Sequence, residues 1–315
     1  MTLQQLIEQY VTFRQALGER FESQTTILRS FNRIVGAQTD LADVGVEQVN
    51  AFLKSVGPLT SFWHAKYMVL RGFYNYAISR GHATISPLPD TIPKRPPPFV
   101  PYIYSREELR RLLGVAEKDL HPQRRTEPLT LRTVFLLLYG AGLRVSEVLN
   151  LGCGEVDLDS CLVTIRDSKF CKSRLVPLGS QLAQTLKGYT SWRQAHHPTD
   201  DLKAPFFVGR DEERLAHRSL DVAFRLSCIQ AGIRRSNQAR YQPRMHDLRH
   251  TFAVHRLTEW YRQGADVQKL LPQLSVYLGH CCLSSTQVYL SMTPELLQQA
   301  GDRFDRYARQ EVDHD

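Results

Sequence analysis

No stretch of this 315-residue chain approaches the roughly 20 consecutive apolar residues of a membrane span. The opening Met1-Thr2-Leu3-Gln4-Gln5 lacks a basic region followed by an apolar one, so no secretory signal is expected. The cytoplasm is the expected compartment. Cysteine is sparse: Cys153, Cys161, Cys171, Cys228, Cys281 and Cys282 form no C-x-x-C pair. That spacing speaks against a structural zinc, and without a signal peptide the six read as reduced thiols. There is no internal repeat and no low-complexity tract. Acidic residues are fewer than basic ones, 32 against 40, which leaves a net charge of +8. A basic chain favours a polyanionic partner, because each neutralised phosphate releases counterions.

The length suggests two domains. Residues 1–90 read as helices. Thr2-Leu3-Gln4-Gln5 fits a capping box, after which Leu3, Leu6, Tyr10 and Phe13 recur at helical spacing. Further helices are expected near residues 23–35, 46–53 and 60–79, with Gly36 and Gly81 as stops. The aromatics Trp63, Tyr67, Phe73 and Tyr76 of the last are expected in the core. Residues 91–103 read as a stiff basic linker, since Pro93 and Pro96-Pro97-Pro98 bracket Lys94 and Arg95. A second domain, 104–315, opens on the capping box Ser105-Arg106-Glu107-Glu108. Helices are expected at 131–139, 145–151, 219–229, 248–261, 267–278 and 294–309. Leu162-Val163-Thr164-Ile165 and Arg174-Leu175-Val176-Pro177-Leu178 flank a polar turn, a hairpin pattern, and Phe206-Phe207-Val208 reads as one more short strand. The chain is thus mainly α with a small β-sheet. The tail residues Leu296, Leu297, Ala300, Phe304 and Tyr307 predict an amphipathic C-terminal helix.

Three blocks carry chemistry. Gly140-Ala141-Gly142-Leu143-Arg144-Val145-Ser146-Glu147 places an arginine at the start of a helix. His246-Asp247-Leu248-Arg249-His250 puts His246 and Arg249 three apart, on one helical face. Leu278-Gly279-His280 is followed nine positions later by Tyr289. Arginine suits phosphate because its planar fork offers paired donors and stays charged. Tyrosine, with a pKa near 10, attacks at neutral pH only with cations or a base beside it. His246 and His250 also have metal-ligand spacing, but Arg249 between them would repel a metal, so none is expected. On residues alone, a metal hydrolase is set aside, while a DNA-binding accessory protein with an unused site and a DNA-cutting enzyme both stay open.

The ordered blocks resemble the tyrosine site-specific recombinases, the phage-integrase and Xer-like family. The family's Gly-Leu-Arg-x-Ser-Glu segment is matched by Gly142-Leu143-Arg144-Val145-Ser146-Glu147. Its hairpin lysine before Arg-x-Val-Pro-Leu is matched by Lys169 before Arg174, its His-x-x-Arg by His246 and Arg249, and its Leu-Gly-His and tyrosine by His280 and Tyr289. Three departures stand out. Asp167-Ser168-Lys169-Phe170-Cys171-Lys172 lacks the glycines common around that lysine, which leaves Lys172 as a competitor. The stretch from Arg249 to His280 is longer than usual, and the N-terminal region matches by its helical character alone.

The resemblance implies a helical, SAM-like core-binding domain and an α+β catalytic domain forming a C-shaped clamp on duplex DNA. It implies strand cutting and rejoining through a 3′-phosphotyrosyl link to Tyr289. Arg144 and Arg249 would hold the phosphate, Lys169 would protonate the leaving oxygen and His246 would accept the tyrosine proton. His280 would bond the phosphate, with Glu147 and His250 in support. Lys94, Arg95, Lys172, Arg174, Arg234, Arg235, Arg240 and Arg244 are the expected DNA contacts. No cofactor is implied. The implied partners are double-stranded recombination sites, a homo-tetramer on two sites formed from monomers or dimers, and accessory recombinases. The implied location is nucleoid-associated, and the hairpin variant leans toward a transposon-borne branch. A topoisomerase of the same chemistry is the alternative.

Overall fold

The computed structural model describes residues 1–54, 59–97, 99–118, 125–168, 172–235, 241–291, 297–298 and 301–302. Lys169, Arg240 and the tail residues Leu296, Ala300, Phe304 and Tyr307 lie outside the described residues. Lys172 is described by its backbone alone. The chain divides into two compact units, residues Met1–Phe99 and Val100–Asp315.

The first unit is helical: α1 (Leu3–Ala16), α2 (Glu22–Val35), α3 (Val46–Leu53) and α4 (Ser61–Ser79). α1 begins where the capping box places it. Thr2 Oγ1 accepts from Gln5 N–H at 3.3 Å, and Gln5 Oε1 accepts from Thr2 N–H at 3.1 Å. Leu3, Leu6 and Tyr10 of α1 then pack on Leu28, Phe31, Phe52, Leu70 and Phe73. Tyr67 and Phe73 are buried and Trp63 and Tyr76 half-buried against this core, so the aromatics of α4 build the unit. Trp63 stacks on Tyr67 with centroids 5.4 Å apart. The proline segment has no regular secondary structure, and its start is tied to α4: His64 Nε2 donates to Pro93 O at 2.9 Å. Lys94 and Arg95 follow, both exposed.

The second unit contains α5 (Arg106–Ala116), α6 (Pro128–Gly140) and α7 (Val145–Asn150), then β1 (Val156–Asp157), β2 (Leu162–Ser168) and β3 (Lys172–Pro177). α8 (Ser180–His196), α9 (His217–Gln230), α10 (His246–Arg262), α11 (Val267–Leu278) and α12 (Ser284–Gln287) complete it, with a 3₁₀ turn over Val288–Ser291. The sheet is antiparallel in the order β1-β2-β3, with Val163 opposite Val176 and Ile165 opposite Arg174. Period-2 alternation buries Val163, Ile165 and Val176 and leaves Leu175 exposed. Arg174 shares the inward face with Val176.

Phe206-Phe207-Val208 is not a strand. Only isolated bridges occur there, Gly152 with Pro205 and Val208 with Arg214. The polar groups of this segment are claimed elsewhere. Phe206 N–H donates to Leu151 O at 2.8 Å, and the buried Arg193 donates to Phe206 O at 3.0 Å and Pro205 O at 2.8 Å. An apolar run with its carbonyls capped by one guanidinium plugs the core without a strand partner.

Candidate active site

α10 opens at His246, so His246, Arg249 and His250 project from one face of its first turns. The same face runs on through the buried Ala253 and Leu257, with Leu248 and Phe252 buried beside it. α11 ends at Leu278 because Gly279 adopts φ +66, the left-handed conformation that stops a helix. A Cβ on Gly279 would lie 2.9 Å from Arg174 Nη1, so the close approach of that guanidinium also requires glycine. Gly142 has φ +60, and a Cβ there would meet Phe252 at 2.6 Å. This turn delivers Arg144 to the N-cap of α7.

Three guanidiniums converge on one carboxylate and on the carbonyl end of α11. Glu147 Oε1 accepts from Arg144 Nη1 at 2.7 Å and from Arg174 Nη1 at 2.8 Å, while Oε2 accepts from Arg174 Nη2 at 2.9 Å. Arg249 Nη1 comes to 4.0 Å of Glu147 Oε2. Arg174 Nε donates to Tyr277 O at 2.9 Å, Arg249 Nη2 to Leu278 O at 2.5 Å, and Arg144 Nη2 to Gly279 O at 2.6 Å. Arg249 Nη1 also donates to Gly142 O at 2.6 Å. A helix C-terminus carries partial negative charge and unpaired carbonyls, which is why it can hold three cations. Burial alone would raise the Glu147 carboxyl, but hydrogen bonds from Arg174 and the Arg144 N–H, with both positive charges, hold it down at about 2. Three positive charges and one negative leave the cluster cationic. Burial and the neighbouring Arg144 lower Arg249 to about 10, so it still carries its proton at neutral pH.

Tyr289 lies in the 3₁₀ turn and is buried among Phe252, Leu257, Leu271, Leu274 and Leu278. Its hydroxyl and His250 Nδ1 are hydrogen-bonded at 3.0 Å. Burial raises its pKa, an effect that the charges of Arg249 and Arg144 oppose. His280 stacks beside the ring, centroids 6.1 Å apart, and its Nδ1 meets Thr286 Oγ1 at 2.7 Å. Burial, then the nearby arginines, lower His246 and His280 to about 4; burial, then His246 and Arg244, lower His250 to about 3. All three imidazoles are therefore neutral at pH 7.

Arg144, Glu147, Arg249, His250, His280 and Tyr289 thus meet in one place, with His246 packed on His250 at 4.8 Å between centroids. The tyrosine hydroxyl is bonded by His250, where His246 was the expected acceptor: in the first turns of α10, His250 is the imidazole that reaches it. Arg174, expected as a DNA contact, lies in the same cluster as a clamp on Glu147, its side chain 10% exposed and its Nε, Nη1 and Nη2 all hydrogen-bonded. The alternation in β3 is the signal that places it inward. Arg235 is likewise engaged, donating to Val100 O at 2.6 Å and lying over the Tyr102 ring. Arg244 pairs with the buried Asp247 at 3.0 Å while staying partly exposed, and Arg234 is exposed. Sequence reasoning missed Thr286, which is fully buried and three residues before Tyr289.

Residues 104–295 match the model of the phage integrase family. The chain belongs to this family. It is a tyrosine recombinase, an enzyme that cuts and rejoins DNA through a phosphotyrosyl intermediate. The putative integrase/recombinase y4rB of Sinorhizobium fredii is 33% identical over 308 residues, 97% of this chain and 98% of that protein. Tyrosine recombinase XerC of Proteus mirabilis is 30% identical over 248 residues, 78% of this recombinase and 73% of its own length. The Tn1549 transposon integrase, solved in complex with transposon right-end DNA, superposes with a TM-score of 0.69 over 98% of this chain and 100% of its own, at 16% identity. That likeness is one of fold. With such relatives, the topoisomerase and unused-site readings are not favoured. Among the described residues, no helix is long and apolar enough to cross a membrane.

Proposed function

We propose that Tyr289 is the nucleophile of this recombinase and that Arg144 and Arg249 hold the scissile phosphate. The observation that carries this is the meeting of a buried tyrosine hydroxyl, neutral imidazoles and a net cationic guanidinium cluster in one place. Tyr289 Oη attacks phosphorus, the 5′-oxygen leaves, and the 3′ end stays on the enzyme. A developing charge on the non-bridging oxygens is stabilised by donors already in position. Arg144 and Arg249 are fixed in advance by Glu147 and by carbonyl oxygens, so they need little reorganisation. His280, oriented through Thr286, offers its other ring nitrogen to the phosphate. Lys169 is the proposed acid for the leaving oxygen, and His246 and His250 are the neutral bases beside the nucleophile. The reaction exchanges one phosphodiester for another, so it needs neither metal nor nucleotide.

The substrate is a double-stranded recombination site. Exchange between two duplexes cuts four strands, each held by one tyrosine, so the working assembly is a tetramer of this chain on two sites. Residues 1–90 are read as the core-binding domain and the proline segment with Lys94 and Arg95 as its basic connection to the catalytic domain.

A nicked substrate, which loses its short cleaved fragment, traps the covalent adduct. Wild type should accumulate it, and Tyr289→Phe should bind the same DNA without forming it. An adduct persisting in Tyr289→Phe would remove Tyr289 from this role.

A further inference from the structure

We propose that His250 is the group that takes the proton from Tyr289 as the tyrosine attacks and returns it on religation. The inference rests on Tyr289 being the nucleophile. His250 Nδ1 lies 3.0 Å from Tyr289 Oη, a distance for direct transfer. With the hydroxyl as donor, the ring accepts on Nδ1 and carries its own proton on Nε2, the tautomer the transfer requires. The other two imidazoles are placed differently. His280 Nδ1 is engaged by Thr286 Oγ1, and its ring lies face-on to Tyr289, 28° from parallel. His246 meets His250 edge to face, planes 89° apart, one group further along the helix face. Tyr289 is only 3% exposed, so solvent has little access to act as base in place of the protein.

The groups facing His250 set its charge. His246, Arg244 and Arg249 come from α10 and the turn before it, and His280 follows α11. With burial, all of them disfavour a proton on His250, which is why the ring is neutral and able to accept. An entering phosphodiester brings negative charge into this cationic cage and raises the basicity of the ring. Activation of the nucleophile is thereby coupled to occupancy by DNA. In cleavage the Oη–H bond breaks and its proton moves to Nδ1 while Oη–P forms. P–O5′ breaks, and the leaving oxygen takes a proton from the general acid. In religation a 5′-hydroxyl attacks phosphorus and gives its proton back to the general acid's conjugate base, Oη–P breaks, and Oη recovers its proton from His250.

The test is single-turnover adduct formation on the nicked substrate across pH, with DNA binding measured in parallel. His250→Asn keeps an amide oxygen near the Nδ1 position and cannot take up a proton. Wild type should be nearly flat from about pH 6 to 9. His250→Asn should be slower at neutral pH by roughly 10²–10³. It should then gain about tenfold per pH unit, because only ionised tyrosine reacts. His250→Ala should show the same slope and recover when imidazole is added. His246→Gln should keep the flat profile at a reduced rate. A His250→Asn profile parallel to wild type, or a slope acquired by His246→Gln instead, would overturn the assignment. An adduct in Tyr289→Phe would sink the nucleophile reading itself, whatever His250 does.

Discussion

Arg174 and Glu147 meet fork to fork, Nη1 at 2.8 Å from Oε1 and Nη2 at 2.9 Å from Oε2. The Arg174 and Glu147 side chains are 10% and 4% exposed, so the pair is buried as well as bidentate. Glu147 also accepts the backbone N–H of Arg144 at 2.8 Å, which fixes the turn that presents that arginine. One carboxylate therefore compensates a buried charge and aims Arg144, the arginine proposed to hold the phosphate.

Removing one partner of a buried ion pair strands the other. Glu147→Ala should therefore lower unfolding stability by about 3–5 kcal/mol. Arg174→Ala should also destabilise the protein and slow cleavage, because Glu147, which aims Arg144, loses its bidentate partner. Urea unfolding of both variants checks this. A loss below about 1 kcal/mol, the scale of an exposed ion pair, would contradict the clamp.

The inward placement of Arg174 was legible in the alternation of β3. A basic residue on a hairpin suggests DNA, but Val176 two residues on belongs to the core, and alternation puts Arg174 on the same face. Helices were easier: α1 and α5 announce themselves through capping boxes and apolar spacing, local signals that need no partner. The Phe206–Val208 segment failed as a strand because three apolar residues do not reveal whether a second strand lies beside them. The five recognition blocks were legible as a series, while the His250–Tyr289 bond depends on how α10 meets a turn 39 residues later. No local pattern encodes such a meeting. Thr286 needed the same knowledge of the His280 ring.

The histidines predict a pH dependence of stability. His246, His250 and His280 have folded values of about 4, 3 and 4 against an ordinary 6.5. As pH falls below about 6.5, the unfolded chain binds protons that the folded chain refuses, so stability falls. The contribution is present above the unfolded value and lost toward the folded ones. Glu147, held at about 2 against 4.5, adds a further loss at more acid pH with the same sign. Urea midpoints measured at several pH values should decline below about 6.5. The decline should be shallower in His250→Asn; an unchanged slope would mean that His250 titrates normally in the folded state.

Thr286 is expected to act through His280. Its hydroxyl and His280 Nδ1 are 2.7 Å apart, and Thr286 is fully buried. Thr286→Val keeps the shape and removes the bond. A hydrogen bond of this kind is worth about 0.5–1.5 kcal/mol, so cleavage should slow by roughly two- to tenfold with DNA affinity unchanged. The double variant with His280→Ala should be no slower than His280→Ala alone. Independent, multiplying losses would show that Thr286 acts on something other than the histidine.

Salt dependence separates cations that meet DNA from cations that hold the fold. Arg234 is exposed, whereas Arg174 is clamped on Glu147. Each phosphate neutralised contributes about −0.9 to the slope of log K against log salt. If Arg234 contacts the backbone, Arg234→Ala should make that slope shallower by about one unit and weaken binding of different sequences alike. Arg174→Ala should leave the slope unchanged, because its charge is compensated inside the protein before DNA arrives. Titrations at several salt concentrations on a specific site and on unrelated DNA would decide. A slope that falls with Arg174→Ala and holds with Arg234→Ala would reverse the assignment and place Arg174 at the phosphate after all.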